Sequence, residues 1–110
     1  MLRLLLLSSL LAGCAIEPYW SKTRDAYEVV GITALDAPAL ERMCGYERGA
    51  VERTIHGCTI VNTVTKKAMI FYRSHMSASD TACTLQHERW HARGWTHSDR
   101  AGFVMDCGPE

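Results

Sequence analysis

The sequence predicts an α+β fold in a single domain, and three observations carry that expectation. Short runs rich in β-branched residues recur along the chain, the longest being Glu28–Leu35, Glu-Val-Val-Gly-Ile-Thr-Ala-Leu. Two other segments, Asp36–Met43 and Thr81 to about Arg93, carry helix signals instead. With 110 residues, 47% of them apolar, the chain can build one modest core and has no room for a second. No internal repeat or low-complexity segment is visible.

The chain opens Met1-Leu2-Arg3 and runs apolar from Leu4 to Leu11, too short to span a bilayer but shaped like a secretory signal. The residues that follow, Leu11-Ala12-Gly13-Cys14, resemble the lipobox of bacterial lipoproteins. That resemblance implies cleavage before Cys14 and lipidation on it, which would make the membrane a partner through a multiply acylated N-terminus. Ala15, where an aspartate would retain such a protein at the inner membrane, implies sorting to the outer membrane of the cell envelope, facing the periplasm. The alternative is an ordinary cleaved signal ending near Ala15. The expected organisation is therefore residues 1–13 as signal, 14–27 as lipidated cysteine and polar tether, and 28–110 as one domain.

Glu28–Leu35 is read as the first strand. Asp36 is a capping residue with Pro38 just inside the helix start, and Cys44-Gly45 stops the short helix that follows. Val51–Ile55, Thr59–Val64 and Ala68–Tyr72 are strand candidates, the first two broken at His56-Gly57. The last two would form a hairpin through Thr65-Lys66-Lys67, although that turn lacks the usual glycine or asparagine. Ser74–Asp80 is small and polar, hence a loop, and Asp80 is the expected N-cap of the second helix.

The formal charge is zero, with acids and bases interspersed, so no nucleic-acid partner is expected. In an exported chain Cys44, Cys58, Cys83 and Cys107 form an even set in an oxidising compartment. Two disulfides are expected, and the sequence permits three pairings.

The second helix carries His87-Glu88-Arg89-Trp90-His91-Ala92-Arg93-Gly94-Trp95-Thr96-His97, the pattern H-E-x-x-H-x-x-G-x-x-H. Residues four apart lie one turn above each other, so His87 and His91 can share a metal ion, with Glu88 beside it. His97 would point away on a continuing helix. Gly94 can enter the left-handed conformation, end the helix and turn the chain back toward the metal. Three neutral imidazoles leave a fourth position open on tetrahedral zinc, as in catalytic sites.

This spacing resembles the metzincin clan of zinc endopeptidases, over these eleven residues. The resemblance implies Zn2+ held by His87, His91 and His97, with Glu88 as general base in peptide-bond hydrolysis. It also implies a small mixed or antiparallel sheet packed on the metal-binding helix, a minimal zincin-like domain whose edge strand holds an extended peptide or protein substrate. Ala68–Tyr72 is the expected edge. Metzincins place a methionine turn beneath the zinc, and Met105 is the candidate by residue type. If Cys83 pairs with Cys107, Met105 is drawn toward the histidines, and Cys44 with Cys58 closes the other loop. Alternatively Cys83, four residues before His87, is a fourth zinc ligand in a closed structural site.

The chain departs from the family at Arg89, where an apolar residue is usual, and at Trp90, where a small one is frequent. The thirteen residues after His97 cannot build the usual C-terminal subdomain, so a deep selective cleft is not expected. Arg73 and His75 are weighed as oxyanion or carboxylate partners against solvated residues, and His56 as a turn residue. Asp99 is weighed as a hydrogen-bond partner of a ligand imidazole, and Trp90 and Trp95 as a shallow groove or packing. The expected function is a lipid-anchored envelope zinc metallopeptidase. Its alternatives are a non-catalytic envelope lipoprotein that uses the scaffold for binding or assembly, and a disulfide-stapled lipoprotein without metal.

Overall fold

In a computed structural model, residues 19–45, 55–98 and 106–109 are described. The elements run β1 (Trp20–Lys22), β2 (Glu28–Leu35), α1 (Ala37–Cys44), β3 (Gly57–Asn62), β4 (Lys67–Arg73), α2 (Ala78–Ala92) and β5 (Trp95–His97). The fold is α+β, with a three-stranded mixed sheet in the order β2-β4-β3 and a two-stranded antiparallel sheet of β1 and β5.

β2 runs parallel to β4, and β3 runs antiparallel to it. β4 is therefore the central strand, and the expectation that Ala68–Tyr72 forms an edge is corrected. The reason is the parallel pairing with β2 across α1, which takes the edge that β3 leaves open, while layers on both faces bury Ala68, Ile70 and Phe71. Among the described residues the edges are β2 and β3.

The two helices cover opposite faces of this sheet. Successive strand residues point to opposite sides. Cys58 of β3 is bonded to Cys44 of α1, while the next residue, Thr59, hydrogen-bonds Glu88 of α2. α1 starts as expected, with the Asp36 carboxylate accepting from the Ala39 N–H at 2.9 Å, and it presses Leu40, fully buried, onto the sheet. α2 turns a stripe at i, i+4 spacing inward, Thr84, Glu88 and Ala92. It comes close to β3 because Gly57 has no side chain, and a β-carbon there would lie 3.0 Å from Thr84 Cγ2 and 2.8 Å from the Phe71 carbonyl oxygen.

Other boundaries also differ from the sequence expectation. α2 begins at Ala78 rather than Thr81, because the Ser77 hydroxyl accepts from the Asp80 N–H at 3.1 Å and caps the helix three residues earlier. The β3–β4 turn is built by Asn62, whose side-chain oxygen accepts from Val64 N–H at 2.9 Å and Thr65 N–H at 3.0 Å. Lys66, at φ 62°, completes the turn. Of the strand expected at Val51–Ile55 only Ile55 is described, and it lies outside a strand.

Nor are residues 19–27 a simple tether. β1 pairs with β5 in the register Trp20↔His97, Ser21↔Thr96 and Lys22↔Trp95. The Tyr27 N–H then donates to the Ala92 carbonyl at 2.7 Å, so the segment is sewn to the end of α2. No helix among the described residues is long and apolar enough to cross a membrane.

Candidate metal centre

His87 and His91 project from one face of α2, one turn apart, with their Nε2 atoms 3.2 Å from each other. The helix ends at Ala92, and Gly94 takes φ +96°. The Gly94 carbonyl accepts from the Thr23 N–H at 2.9 Å, and β5 leads directly to His97. His97 Nε2 lies 3.1 Å from His87 Nε2. The chain reversal expected at Gly94 is thus present, and the ligand atoms of all three histidines fall within 4.8 Å of one another.

Each ring is oriented from behind by a backbone carbonyl. His87 Nδ1 meets the carbonyl of Asp106, His91 Nδ1 that of Trp95 at 2.9 Å, and His97 Nδ1 that of Ser98 at 3.1 Å. A carbonyl can only accept, so each Nδ1 carries a proton, and Nε2 is the ring nitrogen turned inward. Burial lowers the pKa of His87, and burial together with the neighbouring His87 pushes that of His91 down to about 4. Both rings are accordingly neutral near pH 7. Converging lone pairs repel one another, and a cation between them removes the conflict. The three histidines could hold a metal ion.

Glu88 is buried, 5% exposed, at the margin of this cluster. The Thr59 hydroxyl lies 2.9 Å from Glu88 Oε1 and 2.9 Å from the Glu88 carbonyl oxygen, and it donates toward both. Glu88 Oε2 is 3.8 Å from His87 Nε2. A carboxylate positioned by a strand hydroxyl therefore faces the same space as the imidazole nitrogens.

The disulfides pair Cys44 with Cys58 and Cys83 with Cys107. Cys83 consequently has no thiolate to offer, and the closed site with Cys83 as fourth ligand is corrected. The second disulfide delivers Asp106 to the histidines. Besides accepting from His87, Asp106 turns its carboxylate oxygens to the Trp20 indole N–H at 3.1 and 3.2 Å. Its Oδ1 also accepts from the Gly108 N–H at 2.8 Å.

Four contributors to the site were not singled out from the sequence: Tyr19, Trp20, Thr59 and Asp106. The adjacent aromatics Tyr19 and Trp20 in an otherwise polar segment were the available signal. Tyr19 stacks on His97 with ring centroids 4.9 Å apart, and Trp20 contacts all three histidines. Nothing comparable marked Thr59 or Asp106. Cys14, Asp99 and Met105 lie outside the described residues. His75 is exposed in the loop after β4, and the Arg73 N–H donates to the His56 carbonyl at 2.8 Å. Trp90 and Trp95 pack edge to face at 5.6 Å, with the Arg93 guanidinium over Trp90, and Trp90 also lines an open pocket with Leu85, Gln86 and Arg89. No family model matches the chain, and no curated protein or solved structure is significantly similar to it.

Proposed function

We propose that this chain is a small zinc metallopeptidase of minimal metzincin type, lipid-anchored through Cys14 at the bacterial outer membrane and acting on peptides or proteins in the periplasm. The observation that carries the reading is the convergence of three imidazole Nε2 atoms beside the Glu88 carboxylate. Separations of 3.1 and 3.2 Å suit zinc, whose tetrahedral nitrogen ligands at about 2.0–2.1 Å stand about 3.3–3.4 Å apart. The all-nitrogen donor set fits zinc better than a hard cation such as calcium or magnesium, which takes oxygen ligands.

Bound there, zinc would supply Lewis acidity, polarising a peptide carbonyl and bringing the pKa of water near neutrality. His87, His91 and His97 would hold the ion. Glu88 removes the proton from the attacking water and delivers it to the departing amine. Thr59 fixes the rotamer of Glu88 and gives a hydrogen bond to the carboxylate form, so the base is aimed before substrate arrives. β3, which carries Thr59, is the edge beside this machinery, and an extended peptide pairing with it would pass the carboxylate.

The test is zinc content combined with peptide hydrolysis by the purified protein. Glu88→Ala should retain zinc and lose hydrolysis, whereas His87→Ala should lose both. A wild-type protein that binds zinc and cleaves nothing in a broad peptide library would leave a binding scaffold in place of an enzyme.

A further inference from the structure

We infer that Trp20 is a positioning residue of the metal centre, its indole forming the apolar base against which the three ligand imidazoles rest and Asp106 locking it there. This rests on the reading of His87, His91 and His97 as metal ligands.

The four rings are arranged with unusual regularity. The Trp20 centroid lies 4.9 Å from that of His87, 5.1 Å from His91 and 4.6 Å from His97. The imidazole centroids are themselves 4.8 to 4.9 Å apart. Four points so spaced form a nearly regular tetrahedron, which puts the indole on the axis of the cone of imidazoles. Its plane is inclined to theirs by 70°, 43° and 74°, the edge-to-face and tilted packing that restrains ring rotation without a hydrogen bond.

That axis has two ends. At one end the Nε2 atoms converge, and an indole there would occupy the open coordination position. At the other it forms a floor. The polar edge of Trp20 favours the floor, because its N–H is drawn to the Asp106 carboxylate while the carbonyl of the same residue accepts from His87 Nδ1, whose N–H points away from the converging nitrogens. Trp20 and Asp106 thus sit behind the ligands. The burial also fits, since Trp20 is 7% exposed in a three-residue strand whose other residues are half-buried or exposed, so its anchoring comes from the histidine cluster and Asp106. The consequence is preorganisation: imidazoles held at fixed rotation lose less entropy when they take up an ion.

Two measurements test this. In the first, Co2+ and Zn2+ affinities are compared for wild type, Trp20→Phe and Trp20→Ala by titration against a competing chelator. Trp20→Ala should bind about 10- to 100-fold more weakly, as expected for loss of a ligand-orienting neighbour, and Trp20→Phe should recover most of that loss. Unchanged or tighter binding by a folded Trp20→Ala protein would overturn the inference and place the indole over the open position. In the second, Trp90→Phe and Trp95→Phe together leave Trp20 as the sole tryptophan, and Co2+ should quench its emission in step with uptake. Emission unaffected at full occupancy overturns the inference even if Trp20→Ala does not fold. Failure of the wild-type chain to take up either metal shows instead that the metal-centre reading itself is wrong, and the inference falls with it.

Discussion

A β-carbon on Gly94 would stand 2.0 Å from the carbonyl oxygen of Arg24. The end of α2 and the segment after β1 therefore meet backbone to backbone, and His97 reaches His87 only because they do. Gly94→Ala adds both a left-handed non-glycine residue at φ +96° and a collision with main chain that cannot rotate away. The substitution should destabilise the domain by more than about 1–2 kcal/mol and weaken zinc binding, although His87 and His91 remain one turn apart on α2. Equilibrium unfolding and zinc titration of the variant check this, and wild-type zinc affinity would show that His97 does not depend on the turn.

The metal-free protein should lose stability in acid over a defined range. In the unfolded chain His91 titrates near 6.5, whereas in the fold burial first, and His87 second, hold it down to about 4. Burial shifts His87 in the same direction. As pH falls below 6.5 the unfolded state gains protons that the folded state refuses, so this contribution is present above pH 6.5 and drains away toward about pH 4. Melting temperatures in chelator across that range should decline, and the decline should be shallower for His91→Phe, which has no proton to gain. Equal slopes in the two proteins would remove His91 as the cause.

The two disulfides should have different effects on metal binding. Cys83–Cys107 and Cys44–Cys58 span 24 and 14 residues, and loss of either should cost roughly 3 kcal/mol by loop entropy. Only the first bears on the histidines, since Cys107 follows Asp106, which receives the His87 Nδ1 proton and the Trp20 indole N–H. Replacing Cys83 and Cys107 by serine should lower zinc affinity about 10-fold or more, while the Cys44 and Cys58 pair can be replaced with little change once stability is matched by temperature. Equal affinities in both double variants would show that Asp106 is held without its neighbouring disulfide.

The elements legible in the sequence were those that local chemistry determines. β2 was read with its observed bounds because a β-branched run ended at a capping aspartate, and the left-handed turn at Gly94 followed from glycine itself. The histidine cluster followed from spacing alone. What the sequence hid depended on packing between distant segments. The inward stripe of α2 carries Thr84 and Glu88 where an apolar face would ordinarily lie, so periodicity was silent about which side the helix buries. β4 was placed at an edge because its position between β2 and β3 is set by a parallel pairing across α1, which no local pattern announces. Trp20 reads as tether in the sequence because a three-residue strand has too little sequence to show alternation.

If the chain is a lipoprotein, that strand also limits how far the centre can stand from the membrane. Under the lipoprotein reading, Cys14 carries the acyl chains, and only five steps of chain separate it from Tyr19, which stacks on His97 at 4.9 Å. Extended chain spans at most about 3.6 Å per residue, so those steps reach no further than about 18 Å. With β1 part of the fold, the metal centre would be held on the order of 20 Å from the lipidated residue, close to the headgroups, and substrates would be polypeptide segments at the membrane face. Lipidated protein loaded with Cu2+ should therefore quench a fluorophore attached to vesicle headgroups. Inserting a 20-residue Gly/Ser linker between Pro18 and Tyr19 lets the domain drift away, by roughly 25 Å in root-mean-square terms, and should reduce the quenching sharply. The same insertion should slow cleavage of a vesicle-anchored peptide and leave cleavage of a soluble one unchanged. Quenching that is insensitive to the linker would mean that the centre is not placed by its tether.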